Sequence, residues 1–214
     1  MHGVNGERRL FVVAAPSGAG KTSLVKALLA AEPGVRVCVS HTTRRQRPSE
    51  QHERDYYFVT PEQFHAIREA DGFLESANVF DNWYGTSRLA LERAFGAGFD
   101  VVLEIDWQGA RQVRARLPSC VSIFILPPSR AELEKRLRTR RTDPDDVIAR
   151  RLRDAVSDMT HFEEFDYVVV NDDFDQAVAD LRRIVAGPAP ALASDRPELV
   201  PLLKDLLGNA LPRD

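Results

Sequence analysis

The segment Leu10–Ala31 constrains the fold more than any other part of the chain, because a strand pattern, a glycine-rich turn and a helix follow one another there. Leu10–Ala15 is a continuous apolar run, typical of a strand buried on both faces of a sheet. The turn contains Gly18 and Gly20, and Thr22–Ala31 has helical composition. A strand that passes through a tight turn into a helix predicts an α/β fold with a parallel sheet.

The same alternation continues later in the chain. Further apolar strand patterns are predicted at Val35–Val39, Asp100–Ile105, Val121–Leu126 and Tyr167–Val170. Helices are predicted between them, with start signals at Ser129 (a capping box with Glu132), Asp143-Pro144 and Asp173-Phe174, the last helix ending at Gly187. Strands alternating with helices are typical of a parallel sheet with right-handed crossover connections.

A more polar stretch interrupts this pattern between residues 40 and 98. It carries short strand patterns at Tyr56–Val59 and Phe73–Phe80, with a helix that opens at Pro61. We therefore predict a core of residues 8–39 and 99–186 with an inserted mixed α+β subdomain of residues 40–98. Residues 187–214 are predicted as a linker and tail, in which Pro197–Leu207 is either a docked helix or mobile. A chain that ends after Ala186 is expected to fold.

Composition narrows the class of protein. With 43% apolar and 29% charged residues, the chain is typical of a globular protein. The net charge of −3 argues against a nucleic-acid partner, and no run approaches the roughly 20 apolar residues of a membrane span. The N-terminus lacks the apolar core of a signal peptide, and Cys38 and Cys120 fit buried reduced thiols, so a cytoplasmic location is expected.

The turn after the first strand matches a phosphate-binding loop. Residues 15–23 fit G-x-x-x-x-G-K-[ST], with Ala15 in place of the first glycine, which requires only that its φ stay negative. Backbone N–H groups and the helix N-terminus can wrap a phosphate there, Lys21 can reach the β- and γ-phosphates, and the Thr22 hydroxyl can bind Mg²⁺. The predicted ATP-binding residues are Ser17, Gly18, Ala19, Gly20, Lys21, Thr22 and Ser23.

Several motifs in order resemble those of guanylate kinases. They are Ser40–Pro48 (SHTTRRQRP), Asp55–Phe58 (DYYF), Asn82–Thr86 (NWYGT), Glu104–Gly109 (EIDWQG) and Val170–Asp173 (VNDD). Together with the phosphate loop, the resemblance covers about Leu10 to Ala186. It implies a sheet of the P-loop nucleotide kinase type that holds MgATP, a GMP-binding insertion at residues 40–98, and a helical lid at about residues 136–158.

The resemblance also implies which residues act. GMP phosphate ligands fall on Arg44, Arg47, Tyr56 and Tyr84, and guanine contacts fall on Ser40, Glu75, Thr86, Glu104 and Asp106. The family often has Asp where Glu104 stands. Catalytic cations fall on Lys21, Arg47, Arg140 and Arg151, and the adenine contact falls on Asn171. The implied reaction transfers the γ-phosphoryl group of MgATP to GMP, and dGMP is expected as a further acceptor. A homo-oligomer is left open.

The residues themselves support part of this assignment. Guanine offers the adjacent donors N1–H and N2–H₂, and Glu75 is a single carboxylate in an apolar strand pattern (FLESANVF). Asp106 ends an apolar strand at the edge where ligands gather, and either a guanine contact or a water on Mg²⁺ suits it. Ser40 and Thr86 also fit turn or capping residues, and Tyr56 and Tyr84 also fit core aromatics. We take Arg136, Arg138, Arg141 and Arg153 to be solvated surface charges.

Two rival functions share the loop and the core. One is a kinase that phosphorylates a ribose bisphosphate, against which the predicted guanine contacts argue. The other is a guanylate-kinase-like interaction module that binds phosphopeptides without catalysis. Such modules typically lose the phosphate loop, whereas Gly20, Lys21 and Thr22 are present here.

Overall fold

Strands and helices alternate along the part of the chain that the computed structural model describes, residues 8–79, 81–139 and 145–208. The strands are β1 (Leu10–Ala14), β2 (Val35–Val37), β3 (His41–Thr42), β4 (Tyr57–Phe58), β5 (Phe73–Val79), β6 (Asn82–Ser87), β7 (Asp100–Glu104), β8 (Val121–Leu126) and β9 (Tyr167–Val170). The helices are α1 (Lys21–Ala31), α2 (Pro61–Glu69), α3 (Arg88–Gly96), α4 (Trp107–Arg116), α5 (Arg130–Thr139), α6 (Asp145–Met159), α7 (Phe174–Ala186) and α8 (Val200–Leu207).

The first sheet has five strands in the order β2-β7-β1-β8-β9. The pairs β2–β7 and β8–β9 are parallel, so the predicted parallel sheet with flanking helices is confirmed. Strand β1 lies in the middle of the order, and all five of its residues are buried. The start of α1, which follows β1 through the glycine turn, is thereby fixed to the centre of this sheet.

The second sheet has four strands in the order β4-β3-β6-β5 and is mixed. Strands β3 and β4 are parallel, whereas β3–β6 and β5–β6 are antiparallel. A β-bulge between Phe73 and Glu75 shifts the register of β5, so that Glu75 lies opposite Thr86. Strand β5 is the outer strand on its side of the sheet.

The described chain divides into two compact units. The first comprises the residues up to Val12, Pro33–Leu103 and Gln108–Val121; the second comprises Val13–Glu32, Glu104–Trp107 and the rest from Ser122. This division differs from the predicted insertion of residues 40–98, because β2, most of β7 and most of α4 group with the polar segment. Side chains of α4 hydrogen-bond to the backbone of β5, a long-range contact that no local pattern announces.

Local signals account for several helix boundaries. Helix α2 begins with a full capping box between Thr60 and Gln63 and has Pro61 in its first turn, as predicted. Asp173 caps α7 through the backbone N–H of Gln176 at 2.8 Å, and α7 ends before Gly187. At α5, the Ser129 hydroxyl accepts the Glu132 N–H at 3.1 Å. The predicted helix start at Asp143-Pro144 lies outside the described residues.

The segment after Gly187 is packed within the second unit, so the linker prediction is wrong. Ala193 forms an antiparallel bridge with Tyr167 of β9, and the Arg196 guanidinium donates to the Val168 carbonyl at 2.9 Å. Helix α8 then buries leucines, and its Asp205 accepts the backbone N–H of Arg130 at 2.9 Å. Of the two alternatives for this segment, the docked helix is the one observed. The buried leucines of the segment are Leu192, Leu199, Leu203, Leu206 and Leu207.

Buried apolar residues fill both faces of the first sheet. The bulkiest fully buried side chains include Phe11, Leu24, Leu28, Leu103, Phe124, Ile125, Leu133 and Met159. The thiols of Cys38 and Cys120 are buried, as predicted. In the described ranges, no helix has both the length and the apolar character that crossing a membrane requires.

Candidate active site

The glycine turn between β1 and α1 has the backbone of a phosphate-binding loop. Gly18 and Gly20 have φ values of 93° and 95°, in the left-handed region that disfavours other residues. A Cβ atom at Gly20 would lie 2.4 Å from the Asn171 amide nitrogen, so the close approach also requires glycine. The φ of Ala15 is not positive, as its place in the motif requires.

Lys21 and Thr22 open α1 directly after this turn. The Lys21 ammonium donates to the backbone carbonyl of Ile105 at 2.6 Å, while the Thr22 and Ser23 side chains face solvent. Within the described residues, no group of three or more acidic, His or Cys side chains could enclose a metal ion. Magnesium is commonly bound through one or two protein oxygens plus substrate phosphates, and the exposed Thr22 hydroxyl suits that mode.

Asn171, the predicted adenine contact, is tied to the phosphate loop. Its side chain is 6% exposed and donates to the Ala19 carbonyl at 2.7 Å. Its own backbone carbonyl accepts a hydrogen bond from the Arg136 guanidinium at 3.1 Å. Asn171 therefore supports the turn that would hold the phosphates, and it also faces the cavity beside it.

A cavity of about 580 Å³ lies in the second unit beside the phosphate loop. Arg136 belongs to its wall and is ion-paired with Glu132 at 3.0 Å, so the surface-charge interpretation of this arginine is wrong. Phe174 also lines the cavity and is 43% exposed, which makes its ring available for a planar group. The lining residues are Gly18, Gly20, Ser23, Glu132, Lys135, Arg136, Thr139, Asn171, Asp172 and Phe174.

In the first unit, three predicted guanine contacts form one hydrogen-bonded chain. The Thr86 hydroxyl donates to the Glu75 carboxylate at 2.6 Å, and the Ser40 and Thr86 hydroxyl oxygens are 3.4 Å apart. All three side chains belong to buried residues, and Glu75 is only 3% exposed. A buried carboxylate with hydroxyl neighbours is suited to accept hydrogen bonds from a ligand with adjacent N–H donors.

Cys38 lies close enough to this chain for the Glu75 charge to act on it. Burial, and secondarily the Glu75 carboxylate, raise the pKa of the Cys38 thiol to about 12. The thiol therefore stays protonated and neutral at physiological pH, and no second negative charge develops beside Glu75.

A second cluster gathers most of the predicted GMP phosphate ligands. The Arg44 guanidinium lies 5.5 Å from the centre of the Tyr56 ring, and the Tyr56 and Tyr84 rings meet edge to face at 5.9 Å. Tyr84 and Thr86 are two residues apart on β6 and so face the same side of the sheet. Arg47 is more loosely placed, with a side chain that is 60% exposed. The four residues predicted to bind the GMP phosphate are thus grouped within the first unit.

Glu50 organises this cluster, and sequence reasoning missed it. Its carboxylate accepts hydrogen bonds from the Arg44 guanidinium at 2.7 Å and from the Arg47 backbone N–H at 2.9 Å. Burial alone would raise the pKa of Glu50, but Arg44 and Arg47 together hold it below its usual value. Burial likewise opposes the charge of Arg44, yet Glu50 and Tyr84 raise its pKa. The one available signal was an acidic residue within an arginine-rich, proline-containing loop.

Glu104 and Asp106 stand at the end of β7 and belong to the second unit. Asp106 lies near Asp158. Burial raises the pKa of Asp158 to about 6, and the charges of Asp106 and Asp154 add to this rise. The hydrogen bond from Trp107 and the nearby His161 oppose it. Trp107 donates to Asp158 at 3.1 Å and stacks on the His161 ring at 3.5 Å.

Of the two arginines predicted on the lid, one belongs to the described residues. Arg151 lies on α6 and is half-buried, whereas Arg140 lies outside the described residues. Arg138 is ion-paired with Glu134 at 2.8 Å and half-exposed, and Arg153 is exposed, which fits their interpretation as surface charges. Arg141 also lies outside the description.

Comparisons with known proteins agree with these features. Residues 7–187 match the family model described as "Guanylate kinase". The chain is 54% identical to the guanylate kinase of Methylococcus capsulatus and 48% identical to that of Yersinia pestis, covering 93% and 94% of this chain and 98% of each relative. A crystal structure of guanylate kinase from Anaplasma phagocytophilum superposes with a TM-score of 0.70 at 29% identity, covering 98% of this chain and 99% of that one.

These matches extend the resemblance beyond the limits predicted from the motifs. The Methylococcus relative aligns over 199 residues, which must reach past Gly187 whatever its starting point. At least part of the segment after Gly187 therefore aligns with that relative.

Proposed function

Because the chain belongs to the guanylate kinase family, we propose that it transfers the γ-phosphoryl group of MgATP to GMP, giving ADP and GDP. The observation that carries the proposal is the buried Glu75 carboxylate, hydrogen-bonded to Thr86 on the same sheet as the phosphate cluster. A ribose bisphosphate lacks the adjacent N–H donors that such a carboxylate would accept. A module that only binds phosphopeptides does not need an intact phosphate loop.

The second unit supplies the donor site. Backbone N–H groups of the turn from Gly18 to Thr22 and the N-terminus of α1 bind the ATP phosphates, with Ser17, Ala19, Gly20 and Ser23 in the same loop. Lys21 leaves the Ile105 carbonyl to reach the β- and γ-phosphates. Thr22 holds Mg²⁺, which neutralises charge on the phosphates when bound. Arg136, Phe174 and Asn171 border the cavity that receives the adenine ring.

The first unit supplies the acceptor site. Arg44, Arg47, Tyr56 and Tyr84 bind the GMP phosphate, and Glu75 accepts the guanine N1–H and N2–H₂ donors. The Thr86 hydroxyl donates to one oxygen of that carboxylate and thereby holds the Glu75 side chain in one rotamer, which also sets the direction of the second oxygen. Ser40 completes the hydroxyl chain. We propose that Glu104 and Asp106 also contact guanine.

Catalysis then depends on charge and position. The acceptor phosphate oxygen is already anionic, so no side-chain base has to remove a proton before it attacks. Cations offset the repulsion between the two nucleotides and the charge on the equatorial oxygens of the moving group. We assign this role to Lys21, Arg47, Arg140 and Arg151, the last two being carried by a lid whose closure excludes water.

The proposal extends to the setting of the reaction. GMP and ATP are the partners, dGMP is expected to replace GMP, and the product GDP places the enzyme in purine nucleotide metabolism. The two buried thiols of Cys38 and Cys120 suit a reducing compartment, in line with a cytoplasmic protein. Self-association into a homo-oligomer stays an open part of the proposal.

One coupled assay tests the function directly. ADP release is measured with MgATP and each of GMP, dGMP, AMP, UMP, CMP and a ribose bisphosphate as acceptor. We expect turnover with GMP and dGMP far above the others. Preference for the ribose bisphosphate would favour the rival kinase, and the absence of turnover with every acceptor would favour an interaction module.

A further inference from the structure

Strand β5, which carries Glu75, is the outer strand of the second sheet, so within the described part of the chain no strand pairs with one side of its backbone. The unpaired N–H and C=O groups of such an edge need other partners. Two side chains of helix α4 supply them. Gln112 and Arg116 are four residues apart and therefore lie on the same face of that helix.

Gln112 pairs with β5 as another strand would. Its side-chain oxygen accepts the Ser76 backbone N–H at 3.1 Å, and its side-chain nitrogen donates to the Ser76 carbonyl at 2.9 Å. Both peptide groups of the residue after Glu75 are thus held by one amide. This two-point contact fixes the direction of the strand on the C-terminal side of Glu75.

Arg116 holds β5 on the other side of Glu75. Its guanidinium donates to the Phe73 carbonyl at 3.0 Å and also to the Leu74 carbonyl. These residues form the β-bulge that brings Glu75 opposite Thr86. A bulge re-aims the side chains beside it, so the bond to its backbone supports the direction in which the Glu75 carboxylate points.

We propose that Gln112 and Arg116 are positioning residues that determine guanine specificity by holding β5 on both sides of Glu75. Neither has to touch the nucleotide. The inference rests on the proposed function, in which Glu75 accepts hydrogen bonds from guanine. It assigns the precision of that contact to two residues of α4 that lie outside the acceptor-binding sequence motifs.

The first test replaces each residue by alanine. Gln112→Ala and Arg116→Ala are each expected to raise the KM for GMP about tenfold, on the order of one lost net hydrogen bond. The kcat at saturating GMP and the KM for ATP should stay near wild type. Arg114→Ala, on the same helix but a different face, is the control and should change neither constant. Thermal unfolding of each variant shows whether the protein is folded at the assay temperature.

A double-mutant cycle separates positioning from general support of the fold. If Gln112 and Arg116 act through Glu75, adding either alanine to Glu75→Gln should raise the KM for GMP much less than it does alone. Arg116→Lys keeps a donor for the bulge carbonyls and should recover part of the wild-type KM. Such rescue and non-additivity would not follow from a merely structural role.

The outcomes distinguish this inference from the function on which it rests. An unchanged GMP preference in Glu75→Gln would overturn the role of Glu75 and this inference with it. If Glu75→Gln weakens GMP use while the α4 variants leave it intact, the inference alone is wrong. The same conclusion follows if the effects of the α4 variants and Glu75→Gln are fully additive.

Discussion

The Lys21 side-chain nitrogen lies 2.6 Å from the backbone carbonyl oxygen of Ile105, the residue that follows β7. The contact joins two parts of the chain that are 84 residues apart. It holds the charged ammonium of Lys21 beside the phosphate loop. A carbonyl is a weaker partner for a cation than a phosphate, so the contact can be exchanged when a nucleotide enters.

Replacing Lys21 tests the assignment of the phosphate loop. Lys21→Met keeps much of the side-chain volume but removes the charge that stabilises the transferred phosphoryl group, so kcat should fall by at least about 10²-fold. The matched control is Lys26→Met, an exposed position on the same helix, which should retain activity. Steady-state kinetics of both folded variants decide the matter; wild-type kcat in Lys21→Met would contradict the assignment.

Replacing Arg151 tests the proposed lid. If this arginine acts on the transition state, Arg151→Ala should lower kcat by up to about 10³-fold and raise neither KM to a similar extent. Arg140→Ala, at a position outside the described residues, should behave alike. Arg153→Ala, exposed on α6 two residues further on, is the control. A change confined to KM in the first two variants would show that Arg151 and Arg140 are ordinary helix-surface charges.

Replacing Glu75 tests the identity of the acceptor. Glu75→Gln retains the shape but turns one acceptor atom into a donor that faces the guanine donors. The lost charge-assisted bond costs about 1.5–3 kcal/mol and an unpaired buried donor about 1–3 kcal/mol, so kcat/KM for GMP should fall about 10²–10⁴-fold. AMP has no N1 proton and should lose far less.

The decisive measurement for Glu75 is the ratio of kcat/KM for GMP to that for AMP in both proteins. Glu69→Gln, on the exposed side of α2, is the control for a neutralised carboxylate. A wild-type ratio in Glu75→Gln would move guanine selection elsewhere, with Glu104 and Asp106 as the next candidates.

Asp158 predicts a pH dependence of stability. Its folded-state pKa of about 6 lies above the ordinary value of 3.8, so the folded protein binds more protons than the unfolded chain between these pH values. The contribution is fully present below about pH 4 and is lost as the pH rises through about 6. Asp158→Asn can still accept the Trp107 hydrogen bond, and its free energy of unfolding at pH 7 should exceed that of wild type by about 1–3 kcal/mol.

Denaturant unfolding between pH 4.5 and 8 measures this difference. The gap between Asp158→Asn and wild type should widen as the pH rises and shrink toward pH 4. Asp195→Asn, an exposed position, should run parallel to wild type. A gap that stays constant with pH would show that the substitution acts through packing.

Truncation tests the packed C-terminal segment. A chain that ends after Ala186 lacks five buried leucines, each worth about 1.5–3 kcal/mol of burial, which together rival the stability of a whole domain. We therefore expect insolubility or a large fall in unfolding temperature, in contrast to the expectation from sequence. A chain that ends after Gly208 keeps α8 and serves as the control. Equal stability of the two truncated chains would contradict the packing role.

Local signals in the sequence were sufficient where neighbouring residues determine the structure. The phosphate loop was predictable because Gly18 and Gly20 need positive φ between a buried strand and a helix, and α2 was predictable from Pro61, which suits the first turn of a helix. The grouping of Ser40, Glu75 and Thr86 came from family motifs, since these residues are far apart in the chain.

Features that depend on distant partners were not predictable in this way. The proline- and alanine-rich segment after Gly187 has the composition of a linker. Its pairing with β9 through Ala193 cannot be read from that composition. In the sequence, Arg136 resembles any other helix-surface charge. Only the structure shows its hydrogen bond to the Asn171 carbonyl and its place in the cavity wall. The hydrogen bonds of Gln112 to Ser76 likewise join residues 36 positions apart.

The cover that α4 provides for β5 also bears on how the protein behaves at high concentration. An open sheet edge invites a strand from another molecule and so promotes aggregation. Gln112 and Arg116 occupy that edge on one side of the second sheet, and on the other side β4 is only two residues long. Both edges are thus poor templates for strand addition, so the same two side chains that hold Glu75 also help to protect the sheet from aggregation.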